Sequence, residues 1–235
     1  MTPPASRRRW LEAHAAELGA CRRCELGDSI VPIISRPTNP LAMLVGQAPG
    51  QTEAVDQKPF AGRAGRTLFR WLELGGLDEA RARDVLYIAA ITRCYPGPSP
   101  TGRGDRVPSV RERELCADWL DRELVALRPT LVIPVGRLAI ERMIGALALE
   151  DVVGREIEIR HAGGAAVAIA LPHPSGASSW VHQEGHSQLL SRALDLLRGR
   201  FVTLGEAARR KRAPAAPAET SVGEGRRKRA ARGVA

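Results

Sequence analysis

A three-layer α/β/α domain around a central, mainly parallel four-stranded sheet is the fold class predicted for this 235-residue chain. Two observations carry that expectation. Four short apolar runs rich in β-branched residues, at 41–45, 85–91, 130–135 and 165–171, read as strands. Helical patterns at 65–74, 110–127, 137–144 and 184–197 lie between or beyond them, and strands alternating with helices pair in parallel, buried on both faces. An apolar content of 44% against 26% charged residues supports such a core and excludes wholesale disorder.

Along the chain, residues 1–20 are expected to form an N-terminal helix packed on the domain, opening near Pro4 and ending at Gly19. Residues 21–204 hold all the strand-like runs and form the α/β domain. The run Leu-Ala-Met-Leu-Val ends at Gly46, and the helical pattern at 65–74 follows. The run beginning Val85-Leu86-Tyr87-Ile88 leads through a Pro- and Gly-rich stretch to Pro108, just ahead of the 110–127 helix. Thr130 to Val135 precedes the third helix, and the last run precedes the fourth. Residues 205–235, mostly Ala, Pro, Gly, Arg and Glu, read as a basic disordered tail.

Lys and Arg total 35 against 26 Asp and Glu, for a formal charge of +9. Only three of the basic residues are lysines, Lys58, Lys211 and Lys228, a bias that GC-rich coding alone would produce. The tail carries nine basic and three acidic residues, so most of the surplus lies there, as a source of loose, salt-sensitive attraction for nucleic acid. No apolar run approaches the roughly 18–20 residues of a membrane span. The opening, MTPPASRRRW, leads into mixed charge rather than a signal segment, so a soluble, cytoplasmic protein is expected.

The segments that follow the strands are more informative. The first strand runs into Gly46-Gln47-Ala48-Pro49-Gly50, the second into Thr92-Arg93-Cys94-Tyr95-Pro96, and the last into Pro172-His173-Pro174-Ser175-Gly176. Open α/β sheets bind ligands outside the carboxyl ends of their strands, so these segments should meet at one mouth. The four cysteines are Cys21, Cys24, Cys94 and Cys116. Cys21-Arg-Arg-Cys24 can place two thiolates on one metal, and four thiolates suit zinc or an iron–sulfur cluster. A redox pair and unpaired buried thiols are the alternatives.

GQAPGQTE (46–53), KPFAGRAG (58–65), a cysteine after the second strand, another on the following helix, and HPSG (173–176) together resemble the uracil-DNA glycosylase superfamily. The iron–sulfur-containing families four and five are the most similar, over about residues 21–197. The resemblance implies excision of uracil, and of related damaged bases, from DNA as the first step of base-excision repair. It makes Cys21, Cys24, Cys94 and Cys116 the ligands of a [4Fe–4S] cluster, with zinc as the lesser alternative. It also implies a monomer acting on damaged DNA in the bacterial nucleoid.

Residue by residue, Phe60 matches the aromatic that stacks on the extruded base, and His173 the histidine that stabilises charge on the departing base. Gly46, Ala48, Gly50, Phe60 and Ala90 are the implied base-pocket residues. Gln47 stands where family four has Glu, and Ala90 where family four has an Asn reading the base edge, as in family five. Gly50 stands where another family has a thymine-excluding Tyr. These departures imply tolerance of hypoxanthine, xanthine or etheno-cytosine, and they sustain an alternative, a damage-binding homologue with weak or no catalysis. A metal-cluster redox module is a further alternative, supported by the CxxC alone.

Hydrolysing the base–sugar bond needs a base held in a pocket, a donor for the negative charge it gathers, and a placed water. His173 suits the donor role as a neutral imidazole. Glu53 and Asp56 are the carboxylate candidates for the water, with Gln47 able to orient it. The Gly176–Trp180 loop is implied to enter the minor groove, with Trp180 either contacting the duplex or packing on the following helix. Ser175 and Ser178 are candidate phosphate donors, and Arg103 and Arg106 lie in a stretch that relatives place near DNA. The only lysine in the body of the chain is Lys58, so a Schiff-base lyase step is not expected.

Overall fold

The computed structural model describes residues 4–27, 29–102, 104–175 and 180–212. In chain order these form α1 (Pro4–Gly19), β1 (Ala42–Gly46), α2 (Gln51–Asp56), α3 (Arg63–Leu74), α4 (Glu79–Val85), β2 (Leu86–Ala90) and α5 (Val110–Leu127). There follow β3 (Leu131–Pro134), α6 (Arg137–Met143), α7 (Leu149–Val152), β4 (Ile157–His161), β5 (Gly164–Ala168), a 3₁₀ turn at Trp180–His182 and α8 (His186–Arg212).

The sheet order is β2-β1-β3-β5-β4. β1 lies parallel to β2 and β3, β3 parallel to β5, and β4 antiparallel on β5. Every residue of β1 and β3 is buried, as strands sandwiched between helices require. Their alternation divides the apolar side chains between two cores. Leu44, Ile88 and Ile133 face Leu68 and Leu72 of α3 and Leu194 of α8. Met43, Val45 and Val132 face Leu120 and Leu124 of α5 and Ala139 of α6. The three-layer α/β/α architecture expected from the pattern is therefore the observed one.

The sheet has five strands rather than four. The additional one, β4, is a short edge strand whose residues are mostly only half-buried or exposed, so its apolar signal is weak; it turns into β5 through Gly163 and Gly164. Val85 closes α4 instead of opening the second strand, because the Leu86 N–H still donates to Ala82 O in the last turn of a helix that Asp78 caps at its start. α5 begins just past Pro108, where Ser109 and Glu112 form a reciprocal capping box. α8 continues to Arg212, so the segment expected to be a tail begins as helix; residues 213–235 lie outside the described residues. No helix among the described residues is long and apolar enough to cross a membrane.

A buried polar network ties these layers together. Glu123 of α5 is fully buried. It accepts from the Tyr87 hydroxyl at 2.8 Å and from His14 Nε2 of α1 at 2.8 Å, and its other oxygen receives the Arg93 guanidinium. A carboxylate only accepts, so His14 is the donor. Burial, and then the Glu123 charge, hold the Tyr87 phenol well above its ordinary pKa. For Arg93, burial opposes the charged form, yet Glu123 and the other nearby groups outweigh it.

Candidate active site

The segments expected to meet at one mouth do so. A cavity of about 460 Å³ opens at the carboxyl ends of β1 and β2, and His173, beyond β5, lines it too. Its walls include Gly46, Gln47, Ala48 and Gly50 from the β1 exit and Ala90 at the end of β2. Glu53, Phe60, Arg106 and Ser175 complete the set of expected residues that line it. The β1 exit is stitched to the β2 exit by Ile91 N–H donating to Gly46 O at 3.0 Å and Thr92 N–H to Gln47 O at 3.2 Å.

Phe60 is held in an unusual backbone state. Its φ is +50°, a left-handed conformation that costs a non-glycine residue about 1–2 kcal/mol. Two contacts sustain it. Arg83 of α4 donates from Nη1 to Pro59 O at 2.9 Å and from Nη2 to Phe60 O at 3.2 Å, while Glu79 pairs with its Nε and the Phe69 ring lies beneath it. Gly65 allows α3 to approach: a Cβ there would fall 1.9 Å from the Phe60 carbonyl oxygen. The Phe60 ring covers Gly46, 3.0 Å from where a Cβ would lie. Replacing Arg83 by alanine should therefore release this strain and raise the DNA concentration for half-maximal excision about tenfold, equivalent to ~1.4 kcal/mol. A titration of single-turnover rate against DNA concentration measures it.

Glu53 is nearly buried, and each of its oxygens accepts a backbone amide, Oε2 from Gly50 at 3.0 Å and Oε1 from Gly62 at 2.8 Å. It thus closes the start of α2 and pins the Phe60 loop. Asp56, the other expected carboxylate, is exposed at the end of α2 and does not line the cavity, because its helical position turns it away from the mouth. A carboxylate that sequence reasoning missed does line it: Asp105 Oδ2 lies 2.7 Å from where a Cβ on Gly50 would be, beside Glu53 Oε2 at 2.8 Å. Gly50 is thus the site of close approach of two acidic groups, besides lacking a bulky side chain.

His173 is half-buried, and burial pushes its pKa below the ordinary histidine value. The Ser175 N–H donates to Nδ1 at 3.3 Å and Ser175 Oγ lies 2.9 Å from the same atom. Accepting that amide makes Nδ1 the unprotonated nitrogen, so the neutral ring carries its proton on Nε2. Gly136, at the β3 exit with φ +83°, makes room for the ring, since a Cβ would fall 2.9 Å from His173 Cδ2. Nothing in the sequence marked Gly136 or Arg83, whose roles come from contacts distant along the chain.

Three further expected residues divide as follows. Arg106 is forked onto Glu112, which lowers the Glu112 pKa and fixes the guanidinium at the cavity rim. Trp180 takes the second of its two expected placements: it is only 9% exposed and belongs to the core, its ring stacked on His186 of α8 at 4.1 Å, rather than standing free to contact a duplex. The apolar face of α8 supplies a better environment for the indole than water. Gly176, Ser178 and Arg103 lie outside the described residues.

The four cysteines, distant in sequence, line a second cavity between the α1 exit, the β2 exit and α5. Burial, followed by the neighbouring Cys116, Cys24 and Cys21, pushes the Cys94 thiol up to about 12. Burial likewise takes Cys116 to about 11. Such a donor set suits a bound cation, which would reverse that repulsion. Among the described residues no three His, Cys, Asp or Glu side chains are grouped as a single metal ion requires. Arg93 lines both this cavity and the larger one.

A flat aromatic face, a neutral N–H donor and a mouth at the ends of parallel strands define the class: an α/β protein built to hold a planar polar ring away from water. Comparison with known proteins makes it particular. Residues 34–198 match the model of the uracil DNA glycosylase superfamily, and the chain belongs to that superfamily. It is 31% identical over 166 residues to a Type-4 uracil-DNA glycosylase of Archaeoglobus fulgidus, covering 68% of this chain and 78% of that protein. A Type-4 uracil-DNA glycosylase of Sulfurisphaera tokodaii is 30% identical over 130 residues, 54% of each chain. A Type-5 uracil-DNA glycosylase of Pyrobaculum aerophilum is 31% identical over 148 residues, 58% of this chain and 62% of the other.

Proposed function

We propose that this protein is a monofunctional uracil-DNA glycosylase that acts as a monomer, extruding a damaged base from DNA and hydrolysing its N-glycosidic bond to begin base-excision repair. The observation that carries this is the His173 tautomer: with Nδ1 engaged by the Ser175 amide, Nε2–H is the donor left for a base oxygen. Phe60 stacks on the flipped base over Gly46, and Gly46, Ala48 and Ala90 frame its edge. As the glycosidic bond lengthens, negative charge gathers on the base and the hydrogen bond from His173 strengthens, lowering the barrier. Glu53 keeps the pocket loop in register, and Gln47 is available to orient water.

No lysine lines the cavity among the described residues, which supports hydrolysis without a covalent Schiff base. Ala90 leaves the base edge without a side chain to read it, which favours admission of other deaminated bases besides uracil. Ser175 and Arg106 at the rim are suited to DNA phosphates. Cys21, Cys24, Cys94 and Cys116 would hold a [4Fe–4S] cluster, since four thiols lining one cavity are the donor set such a cluster takes. When bound, the cluster supplies a structural tie between the α1 exit, the β2 exit and α5.

Incubation with an oligonucleotide containing one uracil, followed by hot alkali, should produce a strand break at that position. A gel shift without breaks would identify a damage-binding homologue instead. Absence of both the break and the shift would exclude the glycosylase reading.

A further inference from the structure

The geometry points to Asp105 as the carboxylate that holds and deprotonates the attacking water, an assignment that rests on the glycosylase reading above. Three observations lead there.

First, the alternatives are engaged or misplaced. Both Glu53 oxygens accept backbone amides, Asp56 does not line the cavity, and Gln47 has no basic oxygen at neutral pH. Protonating Glu53 would weaken the bonds it accepts from the Gly50 and Gly62 amides, which hold the pocket loop.

Second, Asp105 is delivered to the cavity by a built segment. Residues 97–99 pair with 104–106 as a small antiparallel excursion. It is closed by Arg106 N–H donating to Gly97 O at 3.0 Å, by Ser99 N–H donating to Gly104 O at 2.8 Å, and by the Pro98–Asp105 bridge. The adjoining Arg106 is clamped by Glu112, the same residue that caps α5. The carboxylate is thereby aimed at Gly50, where a Cβ would fall 2.7 Å from its Oδ2.

Third, the group is open to water. Asp105 is exposed and lines the cavity, and a carboxylate has about four acceptor sites, so it can accept from a water held there.

The step balances without a further reactant. Asp105 takes a proton from water as the water oxygen bonds to C1′ of the sugar. The C1′–N bond breaks, and its electron pair leaves on the base, whose oxygen accepts the His173 hydrogen bond. The proton then passes from Asp105 to solvent or to the released base.

The test uses the full chain as isolated and single-turnover excision from the uracil oligonucleotide. Asp105→Ala should slow excision about 100-fold. Its affinity for a cleavage-resistant 2′-fluoro-deoxyuridine oligonucleotide should match that of the unaltered protein. Added formate, an external carboxylate, should restore the rate in proportion to its concentration, which a merely structural role would not allow. Asp105→Asn keeps the size and hydrogen bonding but not the basicity, and should remain slow. Asp105→Asn at the unaltered rate, or a rate loss matched by an equal loss of affinity, would overturn the assignment. If the unaltered protein leaves uracil in place, the glycosylase reading fails first, and this assignment with it.

Discussion

Replacing His173 by alanine is expected to slow uracil excision by about 10²–10³-fold while the protein remains folded and bound to DNA, because it removes the preorganised donor aimed at the leaving base. The variant removes a side chain at the cavity wall, not a core residue, so the thermal midpoint should move little. The pH dependence follows from the direction of the His173 shift. Burial lowers the folded pKa below the ordinary 6.5, so between those values the unfolded chain binds the proton and the folded one does not. The neutral ring therefore contributes stability that is present above the unfolded value and is lost as pH falls through the folded value. Excision should be flat from pH 7 to 8, with its histidine-dependent acid loss displaced below 6.5. Protonation of Nδ1 would also set that atom against the Ser175 amide. Single-turnover rates across pH, with and without the substitution, give both results, and an alanine variant as fast as the unaltered protein would dismiss His173 from the chemistry.

Glu123→Ala should produce the largest loss of stability, about 3–5 kcal/mol, because it strands the Arg93 charge in the interior without its carboxylate. The Tyr87 hydroxyl and His14 lose their acceptor at the same time. The measurable result is a lower urea midpoint. Glu123→Gln, which retains an acceptor oxygen but not the charge, should fall between the two. The effect should extend to function, since Arg93 borders both the cysteine cavity and the base pocket. Equal midpoints for all three proteins would show that the network carries no net stability.

Much of the site was legible in the chain because its residues sit at strand exits. Gly46 to Gly50 and His173 are adjacent to buried apolar runs, and parallel pairing sends those exits to one edge of the sheet. Phe60 and Glu53 were legible through the matching blocks. Asp105 was not, since nothing local distinguishes it from Asp56; both are exposed, and only the pairing of 97–99 with 104–106 carries Asp105 to the mouth. Trp180 was left between two placements for the complementary reason. An aromatic in a Ser/Gly-rich loop resembles an exposed wedge until α8 is seen to cover it. β4 escaped notice because an edge strand with mostly half-buried or exposed residues carries little apolar signal.

By itself the sequence determined the layers, the polarity of the sheet, the superfamily and the identity of the four thiols, because periodicity and short contiguous motifs are properties of neighbouring residues. Tertiary structure alone decided which carboxylate is engaged, which tautomer His173 adopts, why Phe60 tolerates a left-handed backbone and why glycine stands at 50, 65 and 136. Those outcomes depend on hydrogen bonds and close approaches, several of them between residues far apart along the chain, and geometry of that kind arises only when the chain has closed on itself.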